Sequence, residues 1–381
     1  MNLLKFLISK IIKGLCLIFY CIPIKKNKIF IYPMNKKYYC NLKYIDIFLR
    51  KNYKNIDIIW VLNSRNDINE NIVSCKNNSI KFFYHLMTSK IVLFNSGLPS
   101  YVKKRSRQIY IETWHGGGAY KKIDTVYKNI KNRYEKKRRL NKLNDIDYII
   151  SSCEKFSEVF KLDTGVCNAK FLPYGMPRND MFFDNEKLED IFNKIYNLYN
   201  IDKTKKIILY APTFRDKGFK NDLDIDRILD NLYIKFKTKY VFMLRSHPHI
   251  VNKIFKKNNS EDIIDVSSYT DMQELLYVAD ILITDYSSCM WDFSLMYKPC
   301  FIYANDLDSY KNERDFHTPI KEWPFPLSTN SKELISNINS FNSEMYIKDV
   351  KKHHEKLGSY ENGNATKKIC ELINNICREE L

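Results

Sequence analysis

Along the chain, short apolar runs rich in β-branched and aromatic residues alternate with longer helical stretches. The first series is I-F-I-Y (29–32), I-D-I-I-W-V-L (56–62), K-I-V-L-F-N (90–95), Q-I-Y-I-E-T-W (108–114), Y-I-I-S (148–151) and K-F-L-P-Y (170–174). The second is K-I-I-L-Y-A-P (206–212), Y-V-F-M-L-R-S (240–246), I-I-D-V (263–266), D-I-L-I-T-D (280–285) and P-C-F-I-Y (299–303). Runs that are apolar on both faces and separated by helices predict an α/β fold of buried parallel sheets joined by βαβ connections. The helix-like segment 184–199 parts the two series and reads as a connector. Two Rossmann-like halves are therefore expected, 29–190 and 191–381, the second closed by a C-terminal helix.

The first 28 residues break this pattern. They are apolar with lysines at 5, 10, 13, 25, 26 and 28, and their uninterrupted apolar run, 15–22, is far shorter than a spanning helix needs. No small-x-small cleavage site follows. The segment 1–28 is expected to be amphipathic and membrane-associating, with a helix packed on its own domain as the open alternative.

Composition changes this picture little. With 381 residues and 45% hydrophobic content the chain has ample material for two cores. The formal net charge of +18 suits an anionic partner, such as acidic lipid or a phosphorylated substrate. The wealth of Lys, Asn, Ile, Tyr and Phe is also the bias of an AT-rich genome, so charge alone decides nothing. The 10 cysteines are scattered without C-x-x-C spacing, which argues against structural zinc and a secreted disulfide scaffold, and for a reducing compartment. No nucleic-acid reader motif is present, so a nucleic-acid partner is not expected. There is no D-x-D at a strand end, no H-x-x-x-H and no Walker loop, and neither metal nor cofactor is expected.

Ligands of open parallel sheets bind beyond the carboxyl ends of the strands. There the sequence places His115 before Gly116, Gly117 and Gly118, whose bare backbone admits an anion or a sugar. Thr213 and Arg215 follow the run at 206–212, and Arg245 and His247 follow that at 240–244. Ser287 and Ser288 are placed to cap a helix whose start holds phosphate, with Asp292 one turn after Ser288. Together these residues suggest a cleft between two domains that holds a polyanion, with a base at hand. The basic stretch 121–142 reads either as a contact for anionic lipid or as a solvated helix face.

The ordered motifs W-H-G (114–116), G-M-P-R-N-D (175–180), Y-A-P-T-F-R-D (210–216), R-S-H-P (245–248), T-D-Y-S-S-x-x-x-D-F (284–293), K-P-x-x-x-Y (298–303) and E-N-G-N-A (361–365) resemble the CDP-glycerol glycerophosphotransferase family of teichoic-acid and capsule assembly. The resemblance runs from about residue 90 to the C-terminus, and the length is similar to the short, primase-like members. It implies a GT-B fold, two Rossmann-like domains with parallel sheets facing across a cleft that holds the CDP-glycerol donor. It also implies a lipid-linked acceptor at the cytoplasmic face of the cell membrane. Carried over by motif, His115 is the base, with His247 as the second catalytic histidine. Gly116, Gly117, Gly118, Ala119, Arg178, Thr213, Arg215, Arg245, Ser246, Ser287, Ser288 and Asp292 are the substrate-binding residues. One departure is the loop after Trp114 and His115: many members have a small polar residue and Pro after W-H-G, where this chain reads G-G-A-Y. A ribitol-phosphate donor, or a CMP-sialic-acid-type capsule glycosyltransferase of the same fold, is the alternative reading.

Overall fold

The computed structural model describes residues 14, 18–64, 71–99, 102–123, 143–184, 186, 188–213, 223–246, 262–313 and 316–379. Arg215, His247, most of the N-terminal segment and most of the basic stretch lie outside the described residues. The helices are α1 Cys40–Asn52, α2 Ile80–Thr88, α3 Glu154–Thr164, α4 Leu188–Leu198, α5 Ile225–Phe236, α6 Met272–Val278, α7 Cys289–Ser294, α8 Leu307–Glu313, α9 Ser331–Ser340, α10 Ser343–Leu357 and α11 Ala365–Arg378. The chain divides into two compact units. The first takes Met1–His115, Ile123–Asp180 and Tyr360–Leu381, and the second takes Gly116–Lys122 and Met181–Ser359.

The first unit is built on seven strands: β1 Lys25–Tyr32, β2 Asp57–Val61, β3 Ser74–Cys75, β4 Ser89–Phe94, β5 Ile109–Glu112, β6 Tyr148–Ile150 and β7 Lys170–Leu172. Their order is β3-β2-β1-β4-β5-β6-β7, and every pairing is parallel. The two apolar faces of β1 show why the run carries no polar alternation. Ile29 and Ile31 join one core with Leu42, Ile45 and Leu49 of α1. Phe30 and Tyr32 point the other way, onto Phe82 of α2. β1 begins at Lys25, inside the segment expected to lie apart as 1–28. The preceding turn is tied to this unit by Arg105, which donates from Nη1 to Ile22 O at 2.8 Å and from Nη2 to Tyr20 O at 3.0 Å.

The second unit has six strands: β8 Lys206–Ala211, β9 Tyr240–Leu244, β10 Ile263–Asp265, β11 Ile281–Thr284, β12 Cys300–Tyr303 and β13 Leu327–Ser328. The order is β10-β9-β8-β11-β12-β13, again all parallel. Ile208 and Tyr210 of β8 share a core with Ile225, Ile228 and Leu232 of α5 and with Leu334, Ile335 and Ile338 of α9. The parallel α/β halves predicted from the alternation are present. The strands β3 and β13, two residues each, are too short to leave a periodic trace.

The expected boundaries differ in three places, the simplest being that the division near 190 falls after Asp180. Helix α11, assigned by chain order to the second half, packs in the first unit, where Ile369, Cys370, Ile373, Ile376 and Cys377 complete the core under α1. Each isoleucine so buried contributes roughly 1.5–3 kcal/mol. Its start is capped by Asp180, which accepts from Ala365 N at 3.0 Å and from Thr366 N at 2.6 Å. An amphipathic stripe records that a helix is buried on one side, not which sheet buries it. The remaining difference is the loop Gly116–Lys122, expected in the first half and grouped here with the second unit.

Candidate active site

His115 stands on a turn built from the end of β5. The ladder continues one residue past the strand, with Thr113 N donating to Phe94 O at 2.8 Å. Trp114 then takes φ +53°, a left-handed conformation that bulky residues rarely adopt. Polar contacts hold it. Trp114 N donates to Glu112 Oε1 at 2.9 Å, and Asn41 Nδ2 donates to Thr113 O at 2.9 Å and to Trp114 O at 3.2 Å. The Trp114 ring lies 4.5 Å from the imidazole of His115, centroid to centroid. His115 Nδ1 lies 2.7 Å from Asn95 O. A carbonyl only accepts, so in the neutral ring Nδ1 carries the proton and the basic lone pair is on Nε2.

Below this turn, Glu112 is buried at 2% exposure. Its second oxygen, Oε2, accepts from Gly97 N at 3.0 Å. Burial pushes its carboxyl up to about 8, against the two N–H bonds, which favour the ionised form. A carboxylate closing an apolar strand is the sort of buried polar group that needs partners. The E in Q-I-Y-I-E-T-W was the available signal for it, and strand-end reasoning passed over it.

The loop after His115 has a different basis. A Cβ on Gly117 would lie 2.1 Å from Trp291 Cδ1, and one on Gly118 would lie 2.5 Å from Tyr120 Cε2. Gly118 also has φ +66°. The glycines are thus demanded by close packing on an indole and a phenol, a reason that the sequence reading, which assigned them to a ligand, did not contain. Beyond them, Ala119 O accepts from Thr318 Oγ1 at 3.3 Å and Tyr120 O accepts from His317 N at 2.9 Å. The Tyr120 hydroxyl lies 3.1 Å from His353 Nε2. Burial holds His353 and His354 down to about 4, so both are neutral at pH 7.

Arg178 is also in the first unit, at the start of the 3₁₀ run Pro177–Phe183. Its backbone N donates to Asn41 Oδ1 at 3.2 Å, so Asn41 ties the His115 turn to the G-M-P-R-N-D motif. The Arg178 guanidinium is buried and reaches Cys40 Sγ at 3.2 Å. The rest of that motif engages E-N-G-N-A: Glu361 accepts from Met176 N at 2.9 Å and from Asn179 Nδ2 at 3.1 Å.

In the second unit Thr213, Arg245, Ser246 and Ser287 follow the carboxyl ends of β8, β9 and β11, neighbours in the sheet, and so share one edge. Asp285, missed from the sequence although it stands within T-D-Y-S-S, organises this edge. It accepts from Thr213 N at 2.9 Å and from Thr213 Oγ1 at 2.5 Å. Arg245 Nη1 donates to Tyr269 O at 2.6 Å. Burial lowers the Arg245 guanidinium below its usual range, with Asp271 opposing, and arginine stays charged all the same. Ser246 N donates to Ser267 Oγ at 2.9 Å, while Ser246 Oγ is buried with no hydrogen-bond partner among the described residues.

Of the two serines expected to cap a helix, Ser288 occupies the N-cap position of α7 without a side-chain cap bond, and Ser287 Oγ accepts from Cys289 N at 3.4 Å. Asp292 is buried at 3% exposure, where it accepts from Gln273 Nε2 at 2.9 Å, which joins α7 to α6. Among the described residues no group of three or more His, Cys, Asp or Glu is placed to hold a metal ion. A cavity of about 620 Å³ in the second unit, lined by Trp323, Phe325, Tyr346 and His353 among others, includes none of the residues singled out from the sequence.

The profile of the family described as CDP-Glycerol:Poly(glycerophosphate) glycerophosphotransferase matches residues 15–375. A teichoic acid poly(glycerol phosphate) polymerase of Staphylococcus epidermidis is 30% identical over 362 residues, covering 91% of this chain and 50% of the relative. The chain spans about half the length of that polymerase. A teichoic acid glycerol-phosphate primase of Bacillus subtilis is 32% identical over 303 residues, covering 78% of this chain and 76% of the relative. Among solved structures, a variant of the wall teichoic acid polymerase TagF soaked with CDPG matches with a TM-score of 0.83 at 26% identity, covering 98% of this chain and 96% of the other. The two parallel α/β sheets agree with the GT-B-like two-domain fold that the resemblance implies.

Proposed function

The chain belongs to the CDP-glycerol:poly(glycerophosphate) glycerophosphotransferase family, and on that premise we propose that it transfers glycerol phosphate from CDP-glycerol to an acceptor hydroxyl, with release of CMP. The acceptor is a lipid-linked saccharide or polyol phosphate, and the product is a teichoic-acid or capsular polymer. Work at the cytoplasmic membrane face is supported by the net charge of +18, which draws the protein to anionic headgroups. Among the described residues no helix is long and apolar enough to cross a membrane.

One observation carries the chemistry: the bond from His115 Nδ1 to Asn95 O leaves Nε2 as the proton acceptor. Nε2 takes the acceptor's hydroxyl proton as its oxygen attacks the phosphorus of the glycerol-phosphate half. The bond between that phosphorus and the bridging oxygen breaks, and CMP leaves with the electron pair. Negative charge developing on the phosphate of the departing CMP is met by Arg245 and by the backbone around Ser287 and Ser288, with His247 and Arg215 assigned by motif. Arg178, Thr213, Ser246 and the backbone of residues 116–119 complete the substrate-binding set. Asp292 supports the start of α7 through Gln273.

Donor identity is tested by measuring CMP release from CDP-glycerol, CDP-ribitol and CMP-sialic acid with membrane or synthetic lipid-linked acceptor. Release from CDP-glycerol alone is the expected result. Release from another donor reassigns the transferred group, and no release from any, together with no donor heat in calorimetry, overturns the proposal.

A further inference from the structure

We infer that Glu112 is a positioning residue for His115, because its carboxyl group ties together the two loops that determine how the imidazole is presented. This inference rests on the reading of His115 as the base. One oxygen of Glu112 holds the N–H of Trp114, in the left-handed turn that displays the histidine. The other holds the N–H of Gly97, two residues beyond Asn95. Asn95 supplies the carbonyl that receives the Nδ1 proton of His115. The residue bearing the ring and the residue fixing its tautomer are thereby referred to one buried side chain.

A left-handed conformation at a non-glycine residue costs about 1–3 kcal/mol and persists only where surrounding bonds over-determine it. Without the Glu112 acceptor the Trp114 turn keeps the Asn41 and Thr113 Oγ1 contacts to its carbonyls, and two part-buried N–H groups lose their acceptor. The 95–97 loop is no longer held to β5 through Glu112. The Nδ1–H bond then competes with the alternative tautomer, which places the proton on Nε2 and removes the base. Glu112 does this without meeting the substrate, since it is buried beneath the turn.

The test uses ¹⁵N-imidazole NMR of the full-length protein at a pH where the ring is neutral, with the His115 signal identified by its absence in His115→Ala. Wild type is expected to show the Nδ1–H tautomer. Glu112→Ala is expected to lose it and to lower kcat for CMP release by about 10- to 100-fold, the loss seen when the outer partner orienting a metal-bound histidine is removed, with the KM for the donor unchanged. Glu112→Gln keeps one oxygen acceptor and is expected to recover much of the rate. An Nε2–H tautomer in wild type overturns the proposal even if Glu112→Ala fails to fold. So does a folded Glu112→Ala with the Nδ1–H tautomer and full kcat. Full activity in His115→Ala defeats the base reading instead, and the tautomer comparison then still decides the clamp.

Discussion

The two halves of one motif are held by different physics. Trp114 and His115 belong to the first unit and are fixed by polar bonds to Glu112, Asn41 and Asn95. Gly116, Gly117 and Gly118 belong to the second, and Gly117 and Gly118 follow the contour of Trp291 and Tyr120, where a single added carbon does not fit. A histidine beside glycines invites one explanation for both, space for a ligand. Here the histidine's hydrogen bond speaks to chemistry, and the close contacts of Gly117 and Gly118 speak to steric fit against an indole.

The largest stability effect that tests this contrast is at Gly117. Gly117→Ala pushes a carbon onto the fully buried Trp291 ring and is expected to cost about 1–3 kcal/mol, seen as a lowered thermal midpoint. Trp291→Leu in the same background should return part of the loss, and a wild-type midpoint for Gly117→Ala alone would refute the packing account. A smaller loss, about 0.5–2 kcal/mol, is expected for Asp180→Ala, which uncaps α11. It should appear in denaturant titration and as faster amide exchange in the first turn of α11.

Opposite in sign between the halves are the pH effects. His353 and His354 ordinarily titrate near 6.5 but are held to about 4 in the fold, His353 in contact with Tyr120. Between those values the unfolded chain binds more protons, so their stabilisation is complete above pH 6.5 and fades as pH falls toward 4. Glu112 is raised from 4.5 to about 8, so the folded chain binds more protons there and its contribution weakens as pH rises through that window. Urea midpoints measured across pH 4.5 to 8 should lose the alkaline component in Glu112→Gln and keep the acidic one.

The fold was largely legible because parallel strands buried on both faces announce themselves as continuous apolar runs. What the pattern lacked was address. The stripe of Ile369, Ile373 and Ile376 predicts a buried helix with no mark of which sheet receives it, and the partner that assigns it, Asp180, is distant in sequence. The strand-end residues Thr213, Arg245 and Ser246 could be read because strand ends face one edge. Their organiser Asp285 was in plain view, yet a carboxylate among expected anion binders reads as a contradiction until its donors are seen. Asp292 shows the converse: one helical turn from Ser288, it is buried against Gln273, because helix spacing fixes neighbours along a face and not what that face meets.

The central claim is that His115 supplies the base. The most direct measurement is single-turnover CMP release by His115→Ala at saturating CDP-glycerol, alongside donor binding by calorimetry. The account predicts a fall of about 10²- to 10⁴-fold in rate with donor affinity unchanged. Release at the wild-type rate would contradict it.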